Sequence, residues 1–333
     1  MHPSRSVGNG RDASDNPPRE VSAERLEEIL AAHKLWLAGR GGACAQLERV
    51  DFSRRDLRNL DLRRALLSNA VFAESHLTQV DLTGADLRDA DFHGATLDEV
   101  DFSGANLSQA NLQECWINEA IFIEARMTKT RLFGASLRNC RMFEVHMVGC
   151  DLTAANLTGT QLSHAHLFDC HFGEASFEQT SFLRAHIHAC RFPNAKFNQA
   201  KMAGAKILNC DFHAVKAEGV DLSGTDLRLV SLYQTSFRLS NFSESNLKCA
   251  DLSYADVSGS NFDGAILFGT DLRNTILDSA RALTRSQLSQ ARTSESTILP
   301  SGVRGPYIRG SGDERPRSRL IPSDRAGRAP TED

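Results

Sequence analysis

The sequence predicts an all-β solenoid of about 11 stacked square coils, with short capping helices at both ends. From Phe52 to Leu277 every fifth residue is Leu, Phe, Ile, Met or Val, with the single exception of Ala217. Beyond Arg55 and Leu60 in the first coil, the residue two positions earlier is always Ala, Cys, Ser, Thr or Val. No insertion shifts this phase, so a single unit of five residues organises most of the chain.

The period of five selects the architecture. Helices bury apolar residues at a spacing near 3.6 and strands at a spacing of 2, so neither can bury this pattern continuously. A chain that turns a corner every five residues can bury it, with one large and one small side chain pointing inward on each side. Four such sides close a coil, and successive coils stack at about 4.8 Å.

Residues 85–89 (ADLRD) and 105–109 (ANLSQ) are typical of these units. They resemble the A-(D/N)-L-x-x motif of the pentapeptide-repeat family, and the resemblance extends over about 230 of the 333 residues. It implies a right-handed quadrilateral β-helix. It implies less about function, because most members of this family have no assigned activity and a minority are DNA-mimicking regulators of topoisomerases.

Five segments follow along the chain. We expect a disordered tail over residues 1–20, then a capping helix with its linker over residues 21–49. The repeat β-helix follows over residues 50–279, a helical cap over residues 280–300, and a second disordered tail over residues 301–333.

Both caps have recognisable helix starts. Ser22 is a candidate N-cap, with Val21 and Leu26 placed for a hydrophobic staple, and Thr284 and Gln287 form a candidate capping box. Residues 33–37 (HKLWL) resemble the leader of many bacterial pentapeptide-repeat proteins, and residues 284–300 resemble the segment that closes many such arrays. Caps are expected because the open end of a β-helix exposes unpaired backbone groups.

Composition indicates a cytoplasmic protein, and the resemblance implies a bacterial one. The net charge of −4 is mild, no apolar run is long enough to span a membrane, and residues 1–20 lack the apolar region of a secretory signal. Six of the eight cysteines occupy the small inward position, where stacked Cβ atoms would lie about 4.8 Å apart, too far for a good disulfide. These six are Cys115, Cys140, Cys150, Cys170, Cys190 and Cys210.

Between residues 65 and 125 there are eleven acidic residues and one basic residue, whereas residues 126–216 hold eleven basic and six acidic residues. Regularly spaced carboxylates could compete with DNA phosphates for a DNA-binding protein, but a solvated surface is the simpler explanation. The candidate acidic band consists of Asp81, Asp86, Asp91, Asp98 and Asp101.

A histidine column is the most specific local pattern. His146, His166 and His186 recur once in each successive coil, point outward and are flanked by Arg126 and Lys206. Three imidazoles in a line cannot surround a tetrahedral metal ion, so this is a weak candidate for an anion or metal site. We expect no bound metal and no cofactor.

The outward position after each large residue is usually polar, but it becomes apolar in the middle of the chain. A contiguous exposed apolar patch indicates a partner, so these residues are a candidate protein interface, with a homodimer as one option. They are Ile123, Phe133, Phe143, Val148, Phe168, Leu183 and Leu208.

No catalytic motif occurs in the sequence, and a convex rod offers no deep pocket. The prediction is therefore a non-catalytic rod that binds or scaffolds proteins, without membrane insertion or direct nucleic-acid binding. The alternative is a DNA-mimic regulator of a type II topoisomerase of the gyrase kind.

Overall fold

A computed structural model describes residues 17–308, in two compact units. The first unit ends at His166 and the second begins at Leu167. The two predicted disordered tails lie outside the described residues, except for residues 17–20 and 301–308.

Regular elements are few and short. Helix α1 spans Ala23–Leu37 and helix α2 spans Arg285–Gln290. The strands have three residues each: β1 Arg126–Thr128, β2 His146–Val148, β3 His166–Phe168, β4 His186–His188, β5 Lys206–Leu208, β6 Lys216–Glu218 and β7 Ser236–Arg238.

Pairing between coils is parallel, and each residue pairs with its counterpart in the next coil. Strand β1 pairs with β2, β4 with β5 and β6 with β7, so that Arg126 faces His146, for example. Elsewhere within each unit the coils pair through isolated parallel bridges, most of which join residues 20 positions apart. The predicted fold class, a pentapeptide β-helix, is confirmed. The coil count differs, because regular strands mark about six turns rather than the 11 coils predicted.

The unit at residues 85–89 shows why the motif has its form. Ala85 N–H donates to the carbonyl three residues earlier (3.0 Å), Asp86 N–H to the preceding coil (3.0 Å), and Leu87 and Asp89 N–H to the following coil (2.9 and 3.0 Å). Arg88 N–H, the fifth donor, is accepted by the Asp86 carboxylate at 3.3 Å. Every backbone donor of the unit is therefore paired, and an Asp or Asn before the large residue supplies the acceptor that the backbone lacks.

Large inward side chains stack on their own kind within each unit. In the first unit the Phe52 and Phe72 rings lie 5.1 Å apart, and the Phe72 ring lies 4.7 Å from that of Phe92. In the second unit Phe192 stacks between its neighbours one coil earlier and one coil later, at 4.8 and 4.5 Å. Such offset stacking adds to the free energy gained by burying the rings.

Inward cysteines and inward threonines occupy equivalent positions in the repeat and make the same hydrogen bond. The Thr130 hydroxyl donates to a backbone carbonyl of the preceding coil at 2.9 Å, and the thiols of Cys115 and Cys140 do so at 2.8 and 2.7 Å. Burial raises the pKa of both thiols to about 12. They act as small buried side chains with a weak donor, and all eight cysteines are free.

Helix α1 covers part of the N-terminal end. Ser22 caps it, and His33 is its one buried residue. The His33 ring stacks on Trp36 at 5.6 Å, and its Nδ1 accepts from Ala45 N–H at 3.1 Å. Gly42 follows the helix with a φ of +77°, and a Cβ there would lie 2.1 Å from a helix carbonyl oxygen, so only glycine fits.

Helix α2 contacts the C-terminal end. Its capping box between Thr284 and Gln287 forms as the sequence predicts. The Gln287 amide also donates to two backbone carbonyls of the last coils, both at 2.8 Å, and Leu288 is buried. This short helix therefore supplies hydrogen-bond donors to backbone carbonyl groups that a following coil would bind if the stack continued.

The inward register can be tested at two adjacent residues of β1. Met127 is fully buried, whereas Thr128 is exposed. Met127→Asp should destabilise the protein by about 3–5 kcal/mol, because an unpaired carboxylate would be buried. Thr128→Asp is the matched control and should leave the melting temperature within a few degrees of wild type. Thermal melting followed by circular dichroism distinguishes them, and equal melting temperatures would contradict the register.

Candidate protein-binding surfaces

The predicted apolar residues of the first unit do not gather on one face. The bridge between Ile121 and Arg141 places Ile123 and Phe143 in one column, and both are half-buried. Val148 lies at the end of β2 on the next face and is 41% exposed. Phe133 is 42% exposed and lies on a third face. These four residues form no contiguous patch, because each coil turns a corner between them.

In the second unit two of the predicted residues share a column. Phe168 is 48% exposed and stacks on His188 at 5.0 Å, and Leu208 follows His188 in the register of β4 and β5. Leu208 is half-buried, and Asn209 beside it contacts the His188 ring at 3.2 Å. Leu183 is 38% exposed and is not part of this column.

Another exposed apolar surface of the second unit involves residues that the sequence analysis missed. Leu229, Ile266 and Phe268 are 67%, 48% and 56% exposed. The bridges from Lys206 through to Ile266 place them on the same face as Leu208. We call Leu208, Leu229, Ile266 and Phe268 the apolar face.

A depression lies within the apolar face. Its volume is about 370 Å³, and it is lined by Leu208, Asn209, Arg228, Leu229, Lys248 and Cys249. Arg228 is paired with Asp226 at 2.8 Å, a hydrogen bond that lowers the pKa of that carboxyl group. Lys248 lies 5.5 Å above the Phe268 ring and forms no salt bridge with any described residue. The lining therefore combines aliphatic surface with one cation that is free to pair.

Leu229 occupies a position where a leucine is unexpected. It stands at a corner with a φ of 60°, in the left-handed region that favours glycine and asparagine. Most corners carry Gly, Asn or a charged or amide side chain, so a leucine in this slot is the sequence signal that identifies the site. Leu239 is a second leucine at a corner, directly after β7, with a φ of 55° and a side chain that is 56% exposed.

The five carboxylates of the candidate acidic band are half-buried and engaged within the fold. Four accept a backbone N–H from the residue two positions later, as Asp101 does from Ser103 at 2.8 Å. Asp98 instead accepts from Asn118 at 2.9 Å, and Asp86 also binds Arg88, which lowers the pKa of Asp86. Within residues 65–125 the acids that are exposed stand at corners: Glu74, Asp89, Glu99, Glu114, Glu119 and Glu124.

The histidine column is divided between the units. His146 and His166 stack in the first unit, with ring centroids 4.8 Å apart and an interplanar angle of 15°. His186 starts β4 in the second unit and pairs with Lys206. Among residues 17–308 no group of three or more His, Cys, Asp or Glu side chains is placed to hold a metal ion.

Comparison with known families agrees with this repeat geometry. One model, described as a pentapeptide repeat region, matches residues 45–122 and 185–262. A second, described as pentapeptide repeats (8 copies), matches residues 105–142, 130–167, 146–182 and 245–281. The chain belongs to the pentapeptide-repeat family. A comparison with curated proteins found no match.

Solved structures of the family resemble this member at low sequence identity. HetL of the cyanobacterium Nostoc sp. strain PCC 7120 is 22% identical over 85% of this chain and 99% of its own, with a TM-score of 0.34. QnrB1, a plasmid-mediated fluoroquinolone resistance protein, is 16% identical over 63% and 88%, with a TM-score of 0.26. Rfr23 of the cyanobacterium Cyanothece 51142 is 19% identical over 33% and 85%, with a TM-score of 0.21.

Neither helix among residues 17–308 is long and apolar enough to cross a membrane.

Thiol labelling should reproduce the division between inward and outward positions. Cys249 is exposed, Cys44 is half-buried with a pKa raised by burial, and the other six thiols are buried. Iodoacetamide at neutral pH should therefore modify Cys249 first and Cys44 more slowly, because the thiolate is the reactive form. The six inward thiols should react only after denaturation. Peptide mapping by mass spectrometry gives the order, and labelling of Cys140 as fast as Cys249 would refute this placement.

Proposed function

We propose that this protein is a non-catalytic protein-binding or scaffolding module and that the apolar face of the second unit binds the partner. The observation that supports this proposal is the exposure of Leu229 and Phe268 beside an open depression. Monomeric proteins rarely leave large aliphatic and aromatic side chains together in water without a functional reason. The partner is another protein or a second copy of this chain.

The chemistry of the surface supports binding rather than catalysis. The depression is lined by aliphatic, amide, cationic and thiol groups, and none of its six lining residues is a carboxylate or a histidine. General acid–base chemistry uses such titratable groups within hydrogen-bond reach of a substrate.

The energetics are adequate for a complex of moderate affinity. Complete burial of Leu208, Leu229 and Phe268 would stabilise a contact by about 1.5–3 kcal/mol each, before the cost of association is subtracted. Lys248 at the margin would favour a carboxylate on the partner. We place the protein in the cytoplasm as part of the same proposal, because its eight cysteines are free.

Leu229 and Leu239 provide a matched pair of variants. Leu229→Asn should weaken partner binding at least about tenfold, as expected for loss of a contact worth ~1.4 kcal/mol. Leu239→Asn changes another exposed corner leucine, which lies outside the apolar face, and should leave binding unchanged. Neither substitution should lower the melting temperature, because asparagine is favoured at positive φ.

The assay is capture of partners on each immobilised protein with quantification by mass spectrometry, together with sedimentation to detect a homodimer. Equal capture and equal self-association by wild type and Leu229→Asn would refute the proposal. Equal losses in both variants would also count against it, because they would indicate a general effect of corner substitution.

A second candidate function is a DNA-mimic regulator of a type II topoisomerase. The observation that favours it is the corner of the first unit where Glu99 and Glu119 are both exposed, which places two carboxylates on successive coils. Carboxylates at regular spacing compete with phosphates for cationic DNA-binding surfaces. The half-buried aspartates of the acidic band contribute less, because their oxygens already accept hydrogen bonds.

A supercoiling assay with a purified bacterial type II topoisomerase tests this second function. Micromolar wild-type protein should inhibit supercoiling, and inhibition should fall at least about tenfold on Glu99→Lys with Glu119→Lys, since each reversal turns attraction into repulsion. Glu174→Lys with Glu244→Lys makes the same change of net charge on the second unit and is the control. Absence of inhibition by the wild-type protein would remove this function.

A further inference from the structure

A groove separates the first half of α1 from the first complete coil. It has a volume of about 730 Å³. Val21, Leu26 and Leu30 line its helical side, and Leu57 and Leu60 line the side formed by the coil. Leu26, Leu30 and Leu60 remain half-exposed within it. The groove is on the first unit and is separate from the apolar face, so the inference from it does not depend on the proposed function.

The groove stays open because the helix is anchored at both ends. At one end the Arg55 guanidinium donates to the Val21 carbonyl at 2.9 Å. At the other end His33 is buried, and the Arg64 guanidinium lies 4.8 Å above the Trp36 ring. Between these anchors no other residue of α1 is buried, so its apolar stripe lacks a full partner within residues 17–308.

Three acidic residues line the groove beside its apolar floor, together with Arg55, whose guanidinium is engaged with the Val21 carbonyl. Glu20, Glu27 and Asp56 line the groove. Glu20 and Glu27 are exposed and form no salt bridge among the described residues. Asp56 binds Arg58, whose hydrogen bond lowers the pKa of that carboxyl group to about 2 and keeps it ionised. A complementary occupant has aliphatic side chains next to several cations.

The chain itself contains such a segment. Residues 315–321 read RPRSRLI, with three arginines immediately before Leu320 and Ile321, the two large aliphatic residues after Ile308. By contrast, residues 1–16 contain only Met1 and Val7 as large apolar side chains. Of the two terminal stretches, residues 315–321 alone match both the floor and the acidic margin of the groove.

We propose that residues 315–321 of a second copy of this chain bind in the groove. Leu320 and Ile321 would cover Leu26, Leu30 and Leu60, and the arginines would pair with Glu20 and Glu27. Binding of one copy's terminal segment to another copy's groove is a heterologous contact, which builds rings or open chains of subunits.

The test uses the full chain and a fluorescent peptide of residues 313–323. The peptide should bind the wild-type protein, and its affinity should fall about tenfold on Leu30→Ser, which corresponds to ~1.4 kcal/mol. Leu35→Ser is the control, because Leu35 is exposed on the same helix and does not line the groove. Glu27→Lys should also weaken binding without touching the apolar floor, and Glu124→Lys makes the same charge change elsewhere.

Self-association provides the second measurement. Sedimentation velocity should show concentration-dependent oligomers of the wild-type chain that are lost in Leu320→Ser with Ile321→Ser. Peptide affinity for that double variant should equal or exceed the affinity for wild type, because its groove is vacant. The inference is overturned if the peptide does not bind, if Leu30→Ser and Leu35→Ser bind it equally, or if the double variant associates as wild type does.

Discussion

The hydrogen bonds between consecutive coils set the conditions that the rest of the structure must meet. In the unit at residues 85–89 three of five backbone donors cross to a neighbouring coil, so each residue must face its counterpart one coil away. Such pairing tolerates no drift, since a slip of one residue would turn each inward side chain outward. The strict period of the sequence is therefore a consequence of backbone pairing as much as of core packing.

The remaining two donors explain why the motif is acidic. One closes the turn at each corner, and the other needs a side-chain acceptor two residues earlier, which Asp or Asn supplies. Asp86 and Asn106 do this in consecutive coils of one column, one charged and the other neutral. Part of the negative charge of these coils therefore has a structural cause, and the acids at corners are the ones more exposed to a partner.

The period alone was enough to assign which residues point inward. It could not give the exposure of the outward residues, because stacked neighbours in a column cover one another, as Ile123 and Phe143 do. Leu229 was missed because it lies at a corner, where side chains were treated as turn residues. The N-terminal groove was also unpredictable, since its width depends on how Arg55 and Trp36 anchor α1, and no local pattern encodes those contacts.

Registration between whole coils restricts how a protein of this kind can change its length during evolution. Loss of one residue from a coil would invert every later side chain, while loss of one complete unit would preserve the core but move every later column to the next face. Only duplication or deletion of a whole coil keeps the columns aligned, and each such event extends or shortens a surface by about 4.8 Å. The unbroken phase from Phe52 to Leu277 is what growth by whole units of five residues would leave behind, and whole-coil steps among them would copy a column whose outward residues could then diverge.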